Sequence, residues 1–118
     1  MTLDWLVGFY EGEGCCTLIR RPGELSRIRL TITQKDEEVL YKIKDFLTPL
    51  SVRGNVHNQT SASNFVVQRT TDVFVFLDLI RPKMQSAVRA AQIDAAVREY
   101  TITRRLSFKT RQQLSEVV

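Results

Sequence analysis

The sequence has few of the residues that build covalent or metal-held scaffolds. Its two cysteines, Cys15 and Cys16, are adjacent, and with one histidine they cannot form the ligand clusters that hold structural zinc. Neighbouring residues of a strand point to opposite faces, and both cysteines are interpreted as reduced packing residues. The chain is therefore expected to fold on a hydrophobic core alone.

Glycine, proline and long apolar runs are also scarce. Five glycines and three prolines in 118 residues argue against a disordered chain. No apolar run approaches the roughly 18 residues that span a bilayer, and the start lacks the basic stretch of a secretory signal. These absences predict a single intracellular domain over residues 1–118, cytoplasmic or organellar, with no membrane partner.

What the chain does have is an excess of basic residues, unevenly placed. Its 17 Lys and Arg against 13 Asp and Glu give a net charge of +4. The basic residues gather between Thr17 and Lys35 and again between Arg98 and Arg111. Such clusters favour a polyanionic partner, although a net charge of this size also fits many unrelated proteins.

Apolar periodicity predicts the element order α-β-β-α-β-β-α-α, with an optional terminal helix. The predicted core covers about 3–98, and a basic tail, partly helical after Ser107, covers about 103–118. The predicted elements are a helix at Leu3 to Tyr10, strands at 15–21 and 25–34, a helix capped by Asp36, strands at 51–58 and 61–69, a helix capped by Thr71 or Asp72 and ending at Ile80, and a helix at 83–98.

This order predicts an α+β fold, an αββαββα core in which helices cover one face of a four-stranded antiparallel sheet. The other face is then free for a partner. Polar side chains on an open twisted sheet suit base edges and phosphates, whereas the same residues on a solvated sheet carry no function. The candidate nucleic-acid contacts are Arg20, Arg27, Arg29, Thr31, Thr33, Arg53, Asn55, His57, Gln68 and Arg69.

The end of the first helix concentrates residues suited to chemistry. Gly8 and Gly12, four apart, lie on one face of a helix and allow another backbone to approach closely. The helix ends beside Glu11 and Glu13, and carboxylates with neighbouring carbonyls suit a hard divalent cation. Taken alone, the two acids are more commonly solvated side chains at a helix terminus.

The segment LVGFYEGEG at 6–14 resembles the motif of the LAGLIDADG homing endonucleases in its glycine spacing and final acid. The strand order, the Thr-Gln-Lys sequence at 33–35 and Pro-Lys at 82–83 are similar to family members as well, over roughly 3–98. Two departures stand out. Val7 replaces the Ala of the family name, and Glu11 and Glu13 replace two Asp.

The resemblance implies a site-specific DNA endonuclease that makes double-strand breaks at a long, near-palindromic duplex site, of the kind that moves introns or inteins. It implies Mg²⁺ as cofactor, with Mn²⁺ able to substitute, bound by Glu13 and the carbonyl of Gly12. Glu13, Lys83 and Gln34 are the implied catalytic residues, with Lys83 stabilising charge and Gln34 orienting water.

A single motif implies a homodimer whose motif helices pack side by side. The predicted seam consists of Leu6, Val7, Gly8, Glu11 and Gly12, and Glu11 is expected to support the motif structurally. The alternatives are the same fold without cleavage, as a DNA-binding regulator or an RNA-binding intron maturase, and a half-enzyme that needs a different partner chain or a structural interaction protein built around the first helix. The presence of both Glu13 and Lys83 favours the enzyme.

Overall fold

A computed structural model describes the backbone of residues 1–117 and the side chains as far as Arg104. Short 3₁₀ turns at Thr48–Leu50 and Arg81–Lys83 separate the longer elements. The elements are α1 (Leu3–Glu13), β1 (Gly14–Ile19), β2 (Arg27–Gln34), α2 (Glu37–Leu47), β3 (Asn55–His57), β4 (Ser63–Val67), α3 (Thr70–Ile80) and α4 (Ala87–Val117). The predicted αββαββα order and α+β class are confirmed.

The four strands form one antiparallel sheet in the order β1-β2-β4-β3. Its register places Gly14 of β1 opposite Ile32 of β2, and Thr31 of β2 opposite Val66 of β4. Because β1 follows α1 directly, the sheet carries the end of the first helix on its edge strand.

The helices cover one face of this sheet. Ile28, Leu30 and Ile32 of β2 are at most 1% exposed, which confirms the predicted alternation along that strand. They pack with buried residues of α1, α2, α3 and the first turns of α4. Full burial of each such aliphatic side chain stabilises the fold by about 1.5–3 kcal/mol. The core therefore fixes α1 against the sheet.

Two predicted helix caps have different outcomes. The Asp36 carboxylate accepts a hydrogen bond from the Glu38 N–H at 3.0 Å, so the predicted cap of α2 is confirmed. The predicted cap of α3 is wrong, because that helix begins at Thr70 after an extended Arg69. Asp72 lies inside its first turn and is 5% exposed.

Strand β3 is much shorter than the predicted 51–58. The 3₁₀ turn at Thr48–Leu50 ends at Ser51, whose φ of 67° is left-handed and breaks the extended chain. Gly54 then lies against the ring of Phe65, where a Cβ would come within 2.4 Å of a ring carbon. Pairing therefore begins only at Asn55.

Helix α4 differs from prediction at both ends. It starts at Ala87 rather than Lys83, because Arg81–Lys83 forms a 3₁₀ turn and the Ser86 hydroxyl caps the helix by accepting from Arg89 N–H at 3.2 Å. The predicted separate helix after Ser107 is wrong, since α4 runs unbroken to Val117. Val118 lies outside the described residues.

The long helix α4 packs back on the loop between β1 and β2. The hydroxyls of Ser26 and Thr103 lie 2.6 Å apart, and Arg104 Nη2 donates to the Ser26 carbonyl at 2.8 Å.

Over the residues that the structure describes, no helix is long and apolar enough to cross a membrane.

Candidate functional site

Helix α1 has one face in the core and one bare face. Leu6 and Val7, 0% and 4% exposed, pack inside their own chain, so they are not available to the seam for which they were predicted. Gly8 and Gly12 are exposed, and a Cβ added at either would meet no atom within 4 Å. The glycines leave a flat strip against which a second helix backbone can lie closely.

An aromatic pair borders this strip. Trp5 is 45% exposed and stacks on Phe9, with ring centroids 4.9 Å apart and planes inclined by 11°. The sequence prediction missed Trp5, although its spacing of three and seven residues from Gly8 and Gly12 puts it on the same helix face. The bare face of α1 thus combines close backbone access with apolar surface.

The last glycine of the motif has a different task. The ring of Tyr10 lies over Gly14, where an added Cβ would come within 2.2 Å of ring carbon Cδ2, so only glycine fits. Tyr10 also packs edge-on to Phe76, and its burial raises the pKa of the phenol, which stays neutral. This contact fixes the point where α1 passes into β1.

The C-terminal end of α1 presents two oxygen ligands, the Glu13 carboxylate and the Gly12 carbonyl. Glu13 is exposed, and among the described residues neither its carboxylate nor the Gly12 carbonyl has a hydrogen-bond partner. Both are hard oxygen donors of the kind that Mg²⁺ prefers. The described part of one chain holds no cluster of three or more acidic, His or Cys side chains.

Gln34 lies near these donors. Gly14 pairs with Ile32, so Gln34, two residues further along β2, is level with the last turn of α1. Its side-chain oxygen accepts a hydrogen bond from the Lys35 N–H at 2.8 Å. The structure thus brings Gln34 to the same end of α1 as Glu13.

Lys83 is placed differently. Its Nζ lies 3.2 Å from Asp4 Oδ1, in the first turn of α1. Nine residues at about 1.5 Å each separate Asp4 from Glu13, so the amine is roughly 13 Å along the helix axis from the end of α1 that carries Glu13. Both partners are substantially exposed, and such a pair is worth at most about 1 kcal/mol, so it holds Lys83 only weakly.

Glu11 joins α1 to the start of α4. Its carboxylate accepts hydrogen bonds from the N–H of Gln85 and, at 3.1 Å, from that of Ser86. In the opposite direction, Arg89 of α4 donates hydrogen bonds to α1 and its C-cap. Its Nε donates to the Glu11 carbonyl at 3.0 Å and its Nη1 to the Gly14 carbonyl at 2.9 Å. Arg89 was missed by the sequence prediction. The sequence shows that the helix end needs donors, and not which residue supplies them.

The open face of the sheet carries polar side chains in rows set by the strand register. In one row, Thr33 Oγ1 donates to Asn64 Oδ1 at 2.6 Å, and Asn64 pairs with His57. In another, Thr17 lies opposite Arg29. Asn64 and Thr17 lie on this face beside the predicted nucleic-acid contacts. The sequence analysis missed both because their position depends on strand pairing.

A groove of about 210 Å³ lies at the end of this face where β1 and β2 meet their connecting loop. Arg29 lines it, and its Nε is buried without a hydrogen-bond partner in the described part of the chain. An unpaired donor of this kind is suited to an incoming acceptor. The residues lining the groove are Ile19, Arg21, Glu24, Leu25, Arg27, Arg29 and Gln68.

Three predicted contacts occupy other positions. Arg20 forms an ion pair with Glu99 of α4, so it faces the helices and not the open sheet face where we predicted it. Arg53 and Arg69, both exposed, line grooves beside the buried Asp72, and one of these grooves also includes Asn55 and Gln68 at the margin of the open face. The predicted sheet face therefore keeps its centre on β2 and loses Arg20.

The cysteines also differ from one another. Cys16 is buried, and burial raises the pKa of its thiol to about 12, so it stays protonated and unreactive at neutral pH. Cys15 is exposed, so the interpretation of both residues as packing residues is wrong for Cys15.

Residues 6–87 match the family model described as LAGLIDADG endonuclease. The chain belongs to the LAGLIDADG endonuclease family. Among the curated proteins, none matches it significantly.

Solved homing endonucleases share the LAGLIDADG fold of this chain. I-AabMI, solved with uncleaved DNA, has a TM-score of 0.76 at 17% identity, over 98% of this chain and 42% of I-AabMI. I-TnaI has a TM-score of 0.73 at 19% identity, over 99% of this chain and 83% of I-TnaI. I-CvuI, solved in complex with an I-CreI target, reaches 0.64 at 24% identity, over 84% and 65%. The chain thus spans less than half of I-AabMI.

Proposed function

We propose that the chain is a homodimeric, divalent-metal-dependent DNA endonuclease that makes double-strand breaks at a long, near-palindromic site. The observation that carries this proposal is the bare glycine face of α1, which ends at the carboxylate of Glu13, unpartnered among the side chains described as far as Arg104. The open polar face of the sheet supplies a surface for the duplex. Membership of an endonuclease family supports the same activity.

Pairing of two copies through α1 would bring a second Glu13 carboxylate to the metal site, which one chain alone does not provide. Gly8 and Gly12 permit close helix contact, and Trp5 and Phe9 add apolar area at the border. A two-fold axis beside these glycines brings the two Glu13 side chains towards each other. At about 4 Å, two carboxylates repel by about 4 kcal/mol in a surface-like dielectric, so a cation stabilises the pair.

Glu13 and the Gly12 carbonyl fit Mg²⁺, for which Mn²⁺ can substitute, because both are accessible hard oxygen donors. A bound divalent cation would lower the pKa of water and neutralise charge on the phosphate. Gln34, level with this end of α1, orients water through its amide. Lys83 leaves its exposed pair with Asp4 to face phosphate oxygens.

The sheet is proposed to contact one half-site per chain. Arg27, Arg29 and Thr31 project from β2 on the open face, with Asn55 and His57 of β3 at its edge. Arginine forks match guanine edges and phosphates in the major groove. Thr33, Gln68, Arg53 and Arg69 lie at the margins of the same surface.

Two arginines of one hairpin provide a matched test of this surface. Arg29→Gln removes a guanidinium from the open face and is expected to weaken DNA binding about tenfold or more, since such contacts are worth about 1–3 kcal/mol each. Arg20→Gln removes the same charge from the helix side and is expected to change affinity little. Gel-shift titrations at one salt concentration compare them, and equal losses would contradict the assignment.

A second candidate is the fold acting as a DNA-binding regulator or an RNA-binding maturase. The observation that favours it is the position of Lys83, whose amine sits at the opposite end of α1 from Glu13. To separate the candidates, the protein first selects duplexes from a random library in EDTA, and Mg²⁺ is then added to the bound pool. Breakage of the selected duplexes supports the endonuclease. Selection without breakage in Mg²⁺ or Mn²⁺ supports the binder.

A further inference from the structure

The contacts between Glu11 and Arg89 form the densest polar network at the end of α1 that carries Glu13. We propose that Arg89 is a positioning residue that fixes this end of α1 for metal binding and cleavage, with Glu11 as its counterpart. This inference rests on the proposed endonuclease function.

The hydrogen bonds of Arg89 bracket the proposed metal donors. Its Nε bonds the carbonyl of Glu11 and its Nη1 the carbonyl of Gly14, at 3.0 and 2.9 Å. Gly12 and Glu13 lie between these two hydrogen-bonded carbonyls. Among the described residues, the Gly12 carbonyl and the Glu13 carboxylate accept no hydrogen bond themselves. A planar guanidinium holds two acceptors at a fixed spacing, so it sets the orientation of the backbone between them.

The same network determines where the loop before α4 lies. The two oxygens of the Glu11 carboxylate bond the backbone N–H groups of Gln85 and Ser86, at the N-terminal end of α4. An anion there is stabilised by the free N–H groups and the helix dipole. Because Lys83 is only two residues before Gln85, this contact also places the 3₁₀ turn that carries Lys83 beside α1.

The guanidinium itself is built in by further contacts on α4. Its Nη1 also donates to Gln92 Oε1 at 3.3 Å, and the Arg89 backbone N–H donates to the Ser86 hydroxyl. The side chain is half-buried, and it therefore does not sample the range of positions open to a surface arginine. Arg89 acts on the reaction through Gly12 and Glu13 and is not expected to touch DNA itself.

The test compares Arg89→Gln and Arg89→Lys with Arg98→Gln, an exposed arginine on the same helix outside this network. Loss of a residue that supports metal ligands typically costs about 10–100-fold in activity or metal affinity. We therefore expect Arg89→Gln to lower kcat by about this factor. DNA affinity in EDTA is expected to be unchanged, and the Mg²⁺ concentration for half-maximal rate is expected to rise.

Arg89→Lys separates positioning from charge. A lysine keeps the positive charge but lacks the planar fork that holds the two carbonyls at a fixed spacing, so it is expected to restore little of kcat. An independent readout is hydrogen exchange of the Gly14 amide, which closes α1 on the Tyr10 carbonyl. This amide should exchange faster in both Arg89 variants and at the wild-type rate in Arg98→Gln.

Several results would overturn the inference. These are unchanged Gly14 exchange, wild-type kcat in Arg89→Gln, full rescue by lysine, and a loss of kcat that only parallels lost folding or lost DNA binding. A wild-type chain that cuts no duplex would refute the proposed function instead, and the Gly14 amide would still decide whether Arg89 fixes the end of α1.

Discussion

Replacing Glu13 with glutamine is expected to abolish cleavage while leaving DNA binding intact. Glu13 is exposed at the last position of α1, and its carboxylate forms no hydrogen bond or ion pair in the described part of the chain, so neutralising it removes no such contact. Loss of one group that stabilises transition-state charge typically costs about 10²–10³-fold in rate. Cleavage of a selected duplex in Mg²⁺, followed on a denaturing gel, measures this loss.

The DNA affinity of the same variant tests whether two Glu13 side chains lie close together in the proposed dimer. Two Glu13 carboxylates near an axis repel each other and the phosphates, so Glu13→Gln should bind DNA in EDTA as tightly as wild type, or more tightly. Asp45→Asn, an exposed acid on α2, is the matched control and should cut normally. A Glu13→Gln protein that still cuts within about tenfold of wild type would remove Glu13 from the active site.

Replacing Gly8 with leucine is expected to convert the proposed homodimer to monomers. A Cβ added at Gly8 would meet no atom of the described chain within 4 Å, so the position is open at its first side-chain atom, and leucine is the better helix former by up to about 1 kcal/mol. Between two closely packed helices, overpacking costs about 1–3 kcal/mol for each copy. The dimer dissociation constant should rise about 30-fold or more, measured by sedimentation equilibrium.

The control for this substitution is Ala91→Leu on an exposed position of α4. It adds the same kind of side chain to a helix surface away from α1 and should leave association unchanged. Circular dichroism checks that both variants keep their helices. A Gly8→Leu protein that sediments as the wild type does would rule out α1 as the dimer seam.

The parts of this fold that the sequence predicts are those with strong local signals. The alternation of β2 identified its buried face, and Asp36 identified the start of α2, because each depends on side chains close in the chain. The first helix followed from its apolar run in the same way, whereas the role of Glu13 was implied only by the family resemblance. By contrast, nothing in the neighbouring sequence indicates that Ser51 adopts a left-handed backbone. The predicted β3 was therefore too long.

Errors at the candidate site arise where tertiary contacts decide. Arg20 lies just beyond β1, where one residue of strand parity determines which face it joins, and its partner Glu99 is remote in sequence. Lys83 was expected to open a helix, and a 3₁₀ turn carries it to Asp4 instead. Arg89 contacts α1 across a separation of more than 70 residues, for which a single sequence has no signal.

The most direct test of the central claim is sequencing of both ends of every duplex that the wild-type protein breaks in a random-site library with Mg²⁺. A two-fold dimer with one Glu13 from each copy predicts Mg²⁺-dependent double-strand breaks at one position within a near-palindromic consensus, and none with Glu13→Gln. Breaks that are absent, independent of Glu13, or centred on sites without two-fold symmetry would contradict it.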